Sequence, residues 1–499
     1  MDLQFSKSVC QCLRKATCQA VNQEQTQEIR LPDTMPDIGR VLGSWGQVIV
    51  RGKEWRGNGM SVSGGVMVWV LYAPEDGSAI QSIEGWIPLQ LKWDFPQTQR
   101  DGAICVSPLL KAVDARSVSA RKIMVRASVS AMGEAQEPME QEIYTPVDVP
   151  KDVQLLRRKY PVELPMEAGE MSFQMEEELT LPASAPQIRK VVRCNLVPVV
   201  AEQKVLAGRL VFRGNGQLQM VYLDPDGNLC KNQWELPFSQ FTELDRDYSV
   251  NATADIVPIV TGMEMEVSED GKRACKLGLS MQYTIYDRQM LDLVCDGYST
   301  QRELQMEKEQ LRLPVRLDRH VEELQLRQNW DMNGQKMEDL VWYGEQPHGV
   351  QEDGMLQWQI PGQFQALYRD DQGQLQGVTI RGEMSAQMEN DPSNRVDPWL
   401  AFPAAAEGMF MADGAQLTAG GTMTCDVFGE EGLTMVTALQ LGEQVPLDPQ
   451  RPSLILRRSG DSELWDIAKE CGSTVDAICK ANAITGQPEE DVMLLIPVI

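Results

Sequence analysis

Residues able to carry covalent chemistry are scarce in this chain. Its two histidines, His320 and His348, lie far from each other and from any cluster of cysteines. The sequence holds no Gly-x-Ser-x-Gly nucleophile turn, no His-Glu-x-x-His metal helix and no glycine-rich phosphate loop. Its 72 Asp and Glu residues are numerous enough to supply an acid–base pair of the glycosidase kind, but their spacing singles out no two of them. Among the 11 cysteines, Cys10, Cys12 and Cys18 are close enough to begin a zinc site, yet no fourth ligand lies nearby. Their odd number and irregular spread read as reduced thiols, mostly small core residues, in a reducing compartment. No enzyme, cofactor or metal centre is expected.

Charge narrows the choice of partner. Lys and Arg number 46 against 72 acids, a net charge of −26, and residues 382–450 carry eleven acids against the single Arg395. Such a field opposes docking on nucleic acid or on an anionic membrane face. The longest strongly apolar stretch, Val66 to Tyr72, is far too short to cross a bilayer, so no direct transmembrane anchoring is expected. The first residues, Met-Asp-Leu-Gln-Phe-Ser-Lys, show no basic region followed by an apolar run, so the chain is expected to stay in a cytoplasm. What remains is binding, and the elements that present it follow from hydrophobic spacing.

That spacing has a period of two through most of the chain. Gln47 to Val50, Ser61 to Tyr72, Lys122 to Val129, Leu210 to Tyr222, Met281 to Tyr286 and Leu356 to Tyr368 all alternate, and Gly and Asp-Gly turns punctuate them. The prediction is a mainly β, antiparallel body with little helix before residue 460. At 499 residues it is too long for one hydrophobic core, and three or four domains are expected.

An internal repeat runs through this body. Leu31-Pro32, Pro36-Asp37-Ile38, a strand ending at Leu71-Tyr72, a turn at Asp76-Gly77 and Trp86-Ile87-Pro88 recur in order as Leu181-Pro182, Pro186-Gln187-Ile188, Val221-Tyr222, Asp226-Gly227 and Trp234-Glu235-Leu236-Pro237. From the proline of Leu-Pro to the tyrosine is 40 residues in both blocks, and Gly64 and Gly214 each stand eight before that tyrosine. A third block has Leu313-Pro314 and Leu367-Tyr368, but its step is 54, which predicts drift or an insertion near Trp342 to Asp353. The stretch from Glu137 to Glu170 reads as a linker in which Leu155 to Tyr160 has some order, and Gln444 to Pro452 as a stiff spacer.

At the C-terminal end the period changes. Ser453 to Arg458 alternates as a strand, and Gly460-Asp461-Ser462 forms a turn whose oxygens can cap the next helix. Glu463 to Glu470 places Leu464, Ile467, Ala468 and Cys471 on one helical face, with Gly472 as its stop. A second helix starts at Ser473 and ends at Asn482 in the left-handed region, and Met493 to Val498 returns as a strand. With Leu464-Trp465-Asp466-Ile467-Ala468-Lys469, Thr474-Val475, Ile478, Ala481-Asn482, Ile484 and Leu495-Ile496-Pro497, this stretch resembles a LysM domain. It departs from that family in an inserted Glu463 and in Glu489-Glu490-Asp491 near the last strand. The resemblance implies a shallow groove for N-acetylglucosamine chains, formed here by Gly460, Asp461, Ser462, Leu464, Asn482, Ala483 and Ile484. Core packing is the plainer role for Trp465 and Ile467.

The order Leu-Pro, Pro-Asp-Ile, Leu-Tyr, Asp-Gly, Ile-Pro over Leu31 to Pro88 is similar to the SPOCS domain of endospore-forming Firmicutes. Together the resemblances imply an N-terminal segment with a SPOCS-like domain over 1–140, a second over 165–300, a divergent third over 301–443 and a LysM domain over 453–499. The implied fold is three tandem antiparallel β domains followed by a small α+β βααβ domain. The implied function is a non-enzymatic adaptor of the spore coat in the mother-cell cytoplasm, recruited to the forespore surface. Its partners would be spore coat morphogenetic proteins, above all a coat-basement ATPase on which the LysM domain docks. The other function implied by a LysM domain is a peptidoglycan (N-acetylglucosamine) reader of cell wall or cortex, which would need export.

Overall fold

Each of the six alternating runs lies within a strand of the computed structural model, because a pleated backbone sends successive side chains to opposite faces. The structure describes residues 2–499 apart from 97, 99–100, 268–272, 412, 430–431, 447–449 and 489–490. The sheets are antiparallel, and the first helix among the described residues begins at Leu464.

One pairing scheme recurs three times. In the first unit β1 (Phe5–Arg30), β6 (Lys122–Pro146) and β5 (Ala103–Ser119) form one sheet, and β2 (Ile38–Arg56), β3 (Gly59–Pro74) and β4 (Gln81–Asp94) form another. Val66, Val68, Ile87, Val125 and Val129, all without exposed surface, join the two sheets in one core. The second unit repeats this with β7 (Val153–Leu179), β12 (Arg273–Ser299) and β11 (Thr253–Val267) against β8 (Lys190–Leu206), β9 (Arg209–Leu223) and β10 (Leu229–Glu243).

In the third unit the long outer strand is broken into β13 (Arg302–Arg312) and β14 (Val315–Trp330). These pair with β22 (Gly432–Gln444) and β21 (Gly414–Gly429), and β19 (Arg395–Ala401) and β20 (Glu407–Met411) also pair with β21. The other sheet holds β15 (Lys336–Gly344), β16 (His348–Glu352), β17 (Met355–Arg369) and β18 (Leu375–Glu389). Each unit carries a β-bulge at one equivalent place in its outer strand, at Ala16, Met166 and Leu317.

The repeated residues have physical roles. Tyr72 donates its hydroxyl hydrogen to the Pro36 carbonyl (3.0 Å) and Tyr222 does the same to Pro186 (3.1 Å), so the tyrosine ties down the loop that follows Leu-Pro. A Cβ at Gly64 would overlap the carbonyl oxygen of Ile49, and one at Gly214 that of Val199, which requires glycine beside the bulge of the neighbouring strand.

Several sequence expectations are corrected by the pairing. Leu313-Pro314 is not the counterpart of the earlier Leu-Pro pairs; it separates β13 from β14, inside the length that β1 and β7 each cover with one strand. The extra residues of the longer step are therefore those of β14. No insertion occurs near Trp342 to Asp353: β15 and β16 together take the place of β2 or β8, broken where those strands bulge. Most of the expected linker from Glu137 to Glu170 is strand, since β6 reaches Pro146 and β7 begins at Val153, so the boundaries at 140 and 165 fall inside strands. Long ladders held these polar stretches extended where local composition suggested a coil. The spacer expected over 444–452 includes 447–449, which lie outside the described residues.

The three units share their interiors. One core joins Leu218, Leu279 and Met281 of the second unit to Cys10 and Ile143 of the first and Leu311 and Met435 of the third. Ion pairs cross the junctions as well. Lys15, Pro165 and Arg316 occupy equivalent positions just before the bulge, and Cys105, Asp255 and Asp397 equivalent positions on the inner strands. Arg316 reaches Asp255 (2.9 Å) and Lys15 reaches Asp397 (2.8 Å). At the third junction, between the first and second units, the neutral amide of Gln282 donates to the Val106 carbonyl and accepts from the Val106 N–H, both at 2.9 Å.

Residues beyond 453 form β23 (Leu454–Arg458), α1 (Leu464–Cys471), α2 (Val475–Asn482) and β24 (Met493–Pro497), with β23 and β24 antiparallel. No helix among the described residues is long and apolar enough to cross a membrane.

Candidate binding site

The C-terminal module is built around a small core of Leu464, Ile467, Ala468, Ile478, Leu494 and Ile496, all buried. Two capping expectations are changed. Glu463 occupies the position before α1 and makes no side-chain cap, because its carboxylate turns to Arg158 on β7 (3.0 and 3.1 Å). Thr474 caps α2 by accepting from the Ala477 N–H (3.1 Å). Gly472 stops α1 in the left-handed region at φ 63°, as its type predicts. After α2 that conformation falls to Ala483 (φ 55°) rather than to Asn482. Asn482 is held in the helix by its own amide, which donates to the carbonyls of Ile478 (2.8 Å) and Leu495 (2.7 Å) and accepts from the Leu495 N–H (2.8 Å).

Of the predicted groove residues, Gly460, Asp461 and Ser462 precede α1, Leu464 opens it, Asn482 ends α2, and Ala483 and Ile484 follow; several of their hydrogen-bonding groups are engaged. The Leu464 N–H donates to Gln487 Oε1 (2.7 Å), and Gln487 Nε2 donates to the Ser462 carbonyl (2.9 Å). The Gly460 N–H donates to Asp491 (3.0 Å), which also pairs with Arg458 (3.3 Å). Asp461 and Ala483 are exposed, Ile484 is half-buried against the module core, and Leu464 is buried. Gln487, absent from the sequence expectation, therefore bridges the loop after α2 to the loop before α1. Nothing in its local pattern marks it, since its partners lie more than 20 residues away. Glu489 and Glu490 lie outside the described residues.

Two other faces of the module differ sharply. One is docked on the second unit. Trp465 packs edge-on against Tyr298 (centroids 4.9 Å apart) and donates its indole N–H to Asp296 (2.9 Å). Lys469 (2.7 Å) and Lys308 (2.9 Å) donate to the same carboxylate, and the Tyr298 hydroxyl donates to the Ser473 carbonyl (2.8 Å). Trp465 thus fastens the module to the body as well as filling its core, whereas Ile467 is wholly core. The other face is the side of β23 and β24 turned from the helices, where Leu454, Leu456 and Met493 stand 53, 69 and 59% exposed.

Asp296 makes the docked face sensitive to acid. Burial opposes its charge, but hydrogen bonds from Lys469, Trp465 and Lys308 outweigh that and pull its carboxyl down to about 2. A depressed carboxyl stabilises the docked state above the usual carboxylate value of 3.8, and that contribution is lost as pH falls through about 2. Energy transfer between dyes on the module and on β7 should hold at neutral pH and fall in that window. Transfer that stays constant down to pH 2, or survives Asp296→Asn at neutral pH, would refute this latch.

The remaining residues singled out for chemistry lie in separate parts of the fold. His320 lies on β14 and His348, exposed, on β16. The cysteines are all unpaired; Cys10 and Cys12 lie in the shared core, where burial pushes the Cys12 thiol up to about 12. Cys18 stands apart from them beside Glu134 and Asp397, their ligand atoms within 4.8 Å of one another. The place of a cation there is filled by the Lys15 ammonium, 2.6 Å from Glu134 and 2.8 Å from Asp397.

Compared with known protein families, with curated proteins and with solved structures, the chain finds no match in any of the three.

Proposed function

We propose that this chain is a non-enzymatic structural adaptor of spore coat assembly, with three tandem SPOCS-like domains and a terminal LysM domain that docks on a protein. The setting rests on the sequence resemblance, and the partner it favours is a coat-basement ATPase at the forespore surface. The observation that carries the protein-docking reading is the contrast within the module: loops whose polar groups are engaged by Gln487 beside a sheet face that exposes Leu454, Leu456 and Met493. An exposed apolar face on a module latched to a large body suits a tether.

A fluorescent fusion in the sporulating cell tests this. Full-length protein is expected at the forespore surface, and both Δ453–499 and the double substitution Leu454→Asp, Leu456→Asp are expected to become diffuse. Normal localisation of the truncated chain would sink the tethering reading. Clear sedimentation of the full chain with purified peptidoglycan, abolished by Δ453–499, would instead favour a glycan reader.

A further inference from the structure

Where the three units meet, their inner strands enclose a cavity of about 360 Å³ that no part of the adaptor reading uses. Strands β2 and β5, β8 and β11, and β15 and β19 each contribute to its wall, one pair from each unit. The volume lies in the range of small-molecule sites, roughly 300–1,000 Å³. Much of the wall is apolar or aromatic, with Leu109, Val257, Pro258, Trp342, Trp399 and Phe402 among its residues.

The charged residues on the wall are unequal in sign: Glu134, Asp255 and Asp426 against Lys15 and Arg319. Their pairing leaves Asp426 Oδ1 without a hydrogen bond among the described residues. Lys15 satisfies Glu134 and Asp397, while Asp255 takes Arg316 and Arg319. Asp426 is 3% exposed, and its Oδ1 lies 3.7 Å from both Arg316 and Arg319, beyond hydrogen-bond reach. That oxygen accepts no hydrogen bond from any described residue. Burial pushes the Asp426 carboxyl above its ordinary range in spite of the nearby cations. A buried oxygen without a donor is costly, and a ligand that supplies one regains that cost on binding.

We propose that this cavity binds a small primary ammonium with an apolar or aromatic body, whose N–H donates to Asp426 Oδ1 while the body lies against the aromatic wall. An anion would meet Asp426 unfavourably. A divalent cation would want several oxygen ligands, and the wall offers one unengaged carboxylate oxygen in apolar surroundings. Aromatic rings suit both the body and the charge of an organic ammonium.

Titration calorimetry on the full chain with 2-phenylethylammonium, 2-phenylethanol and phenylacetate tests the proposal. The ammonium should bind, the alcohol roughly tenfold or more weaker, as expected for loss of a charge-assisted hydrogen bond, and phenylacetate not at all. Asp426→Asn should weaken the ammonium by a similar factor and leave the alcohol unchanged. Val257→Trp, which fills the cavity, should abolish binding of both. Circular dichroism checks that each variant is folded. Absence of ammonium binding, equal binding of the three probes by the wild-type chain, or undiminished ammonium binding by folded Asp426→Asn would each overturn the proposal.

Discussion

Arg316→Met is expected to lower the folding stability of this protein by about 3–5 kcal/mol, the cost of leaving buried charge unpaired. The guanidinium is 4% exposed and donates to Glu163 (2.8 Å), Asp255 (2.9 Å) and the Thr253 hydroxyl (2.9 Å), all on the second unit. It also lies 3.6 Å from the centre of the Tyr286 ring. Methionine fills much of the same volume, so the loss reports charge more than packing. Arg319 remains near Asp255 but is itself 35% exposed, and among the described residues Glu163 keeps only the distant, largely exposed Arg288 at 3.7 Å. Adding Asp255→Asn to Arg316→Met should recover part of the loss, because the double variant buries one negative charge fewer. Urea unfolding followed by circular dichroism supplies both numbers. A loss below about 1 kcal/mol, the scale of an exposed ion pair, would mean that the junction is wet.

Trp465→Ala is expected to unfold the C-terminal module while the β body stays intact. Truncating a buried tryptophan costs about 3–5 kcal/mol. The module has little to set against that: two helices of 8 residues each, a two-stranded sheet and a short list of buried side chains. The same change removes the ring packed on Tyr298 and the N–H donated to Asp296, so folding and docking fail together. Trp465→Phe keeps most of the packing and loses only the hydrogen bond, and should loosen docking without unfolding the module. Amide exchange separates the cases: for Trp465→Ala, protection should vanish across 454–497 and persist in β1 to β22. Protection retained in the β23–β24 ladder of that variant would contradict the expectation.

These two residues also mark how far the sequence can be read. For Trp465, core packing was the plainer role, and the burial is observed. Its second role, on Asp296 and Tyr298, was not legible, because those residues lie more than 160 positions away and belong to an unremarkable strand. Arg316 carried no signal at all. It sits in an alternating run with many charges, and only the fold brings it to Glu163, 153 residues earlier. The groove behaves similarly. Gly460, Asp461, Ser462, Leu464, Asn482, Ala483 and Ile484 were legible as a groove through resemblance alone, while the engagement of Asn482 with Leu495 and the bridge made by Gln487 were not legible.

By itself the sequence determined what is local. Alternation at a period of two made strands, since each side chain has only two faces to choose between. Gly472 and Thr474 set helix ends, and the repeated tyrosine, proline and glycine set the loop and bulge of the first two units. Only the tertiary structure decided which strand pairs with which and where charges meet. Leu313-Pro314 looks the same as its namesakes in sequence, yet it falls between β13 and β14, within the length that β1 and β7 each cover with one strand, because pairing of β13 with β22 and of β14 with β21 continues the sheet on either side of it. The cavity beside Asp426, the ion pairs of Lys15 and Arg316 and the latch at Asp296 all join residues from different units. Such pairings are set by the summed burial and hydrogen bonding of whole sheets, a quantity that no short stretch of residues carries.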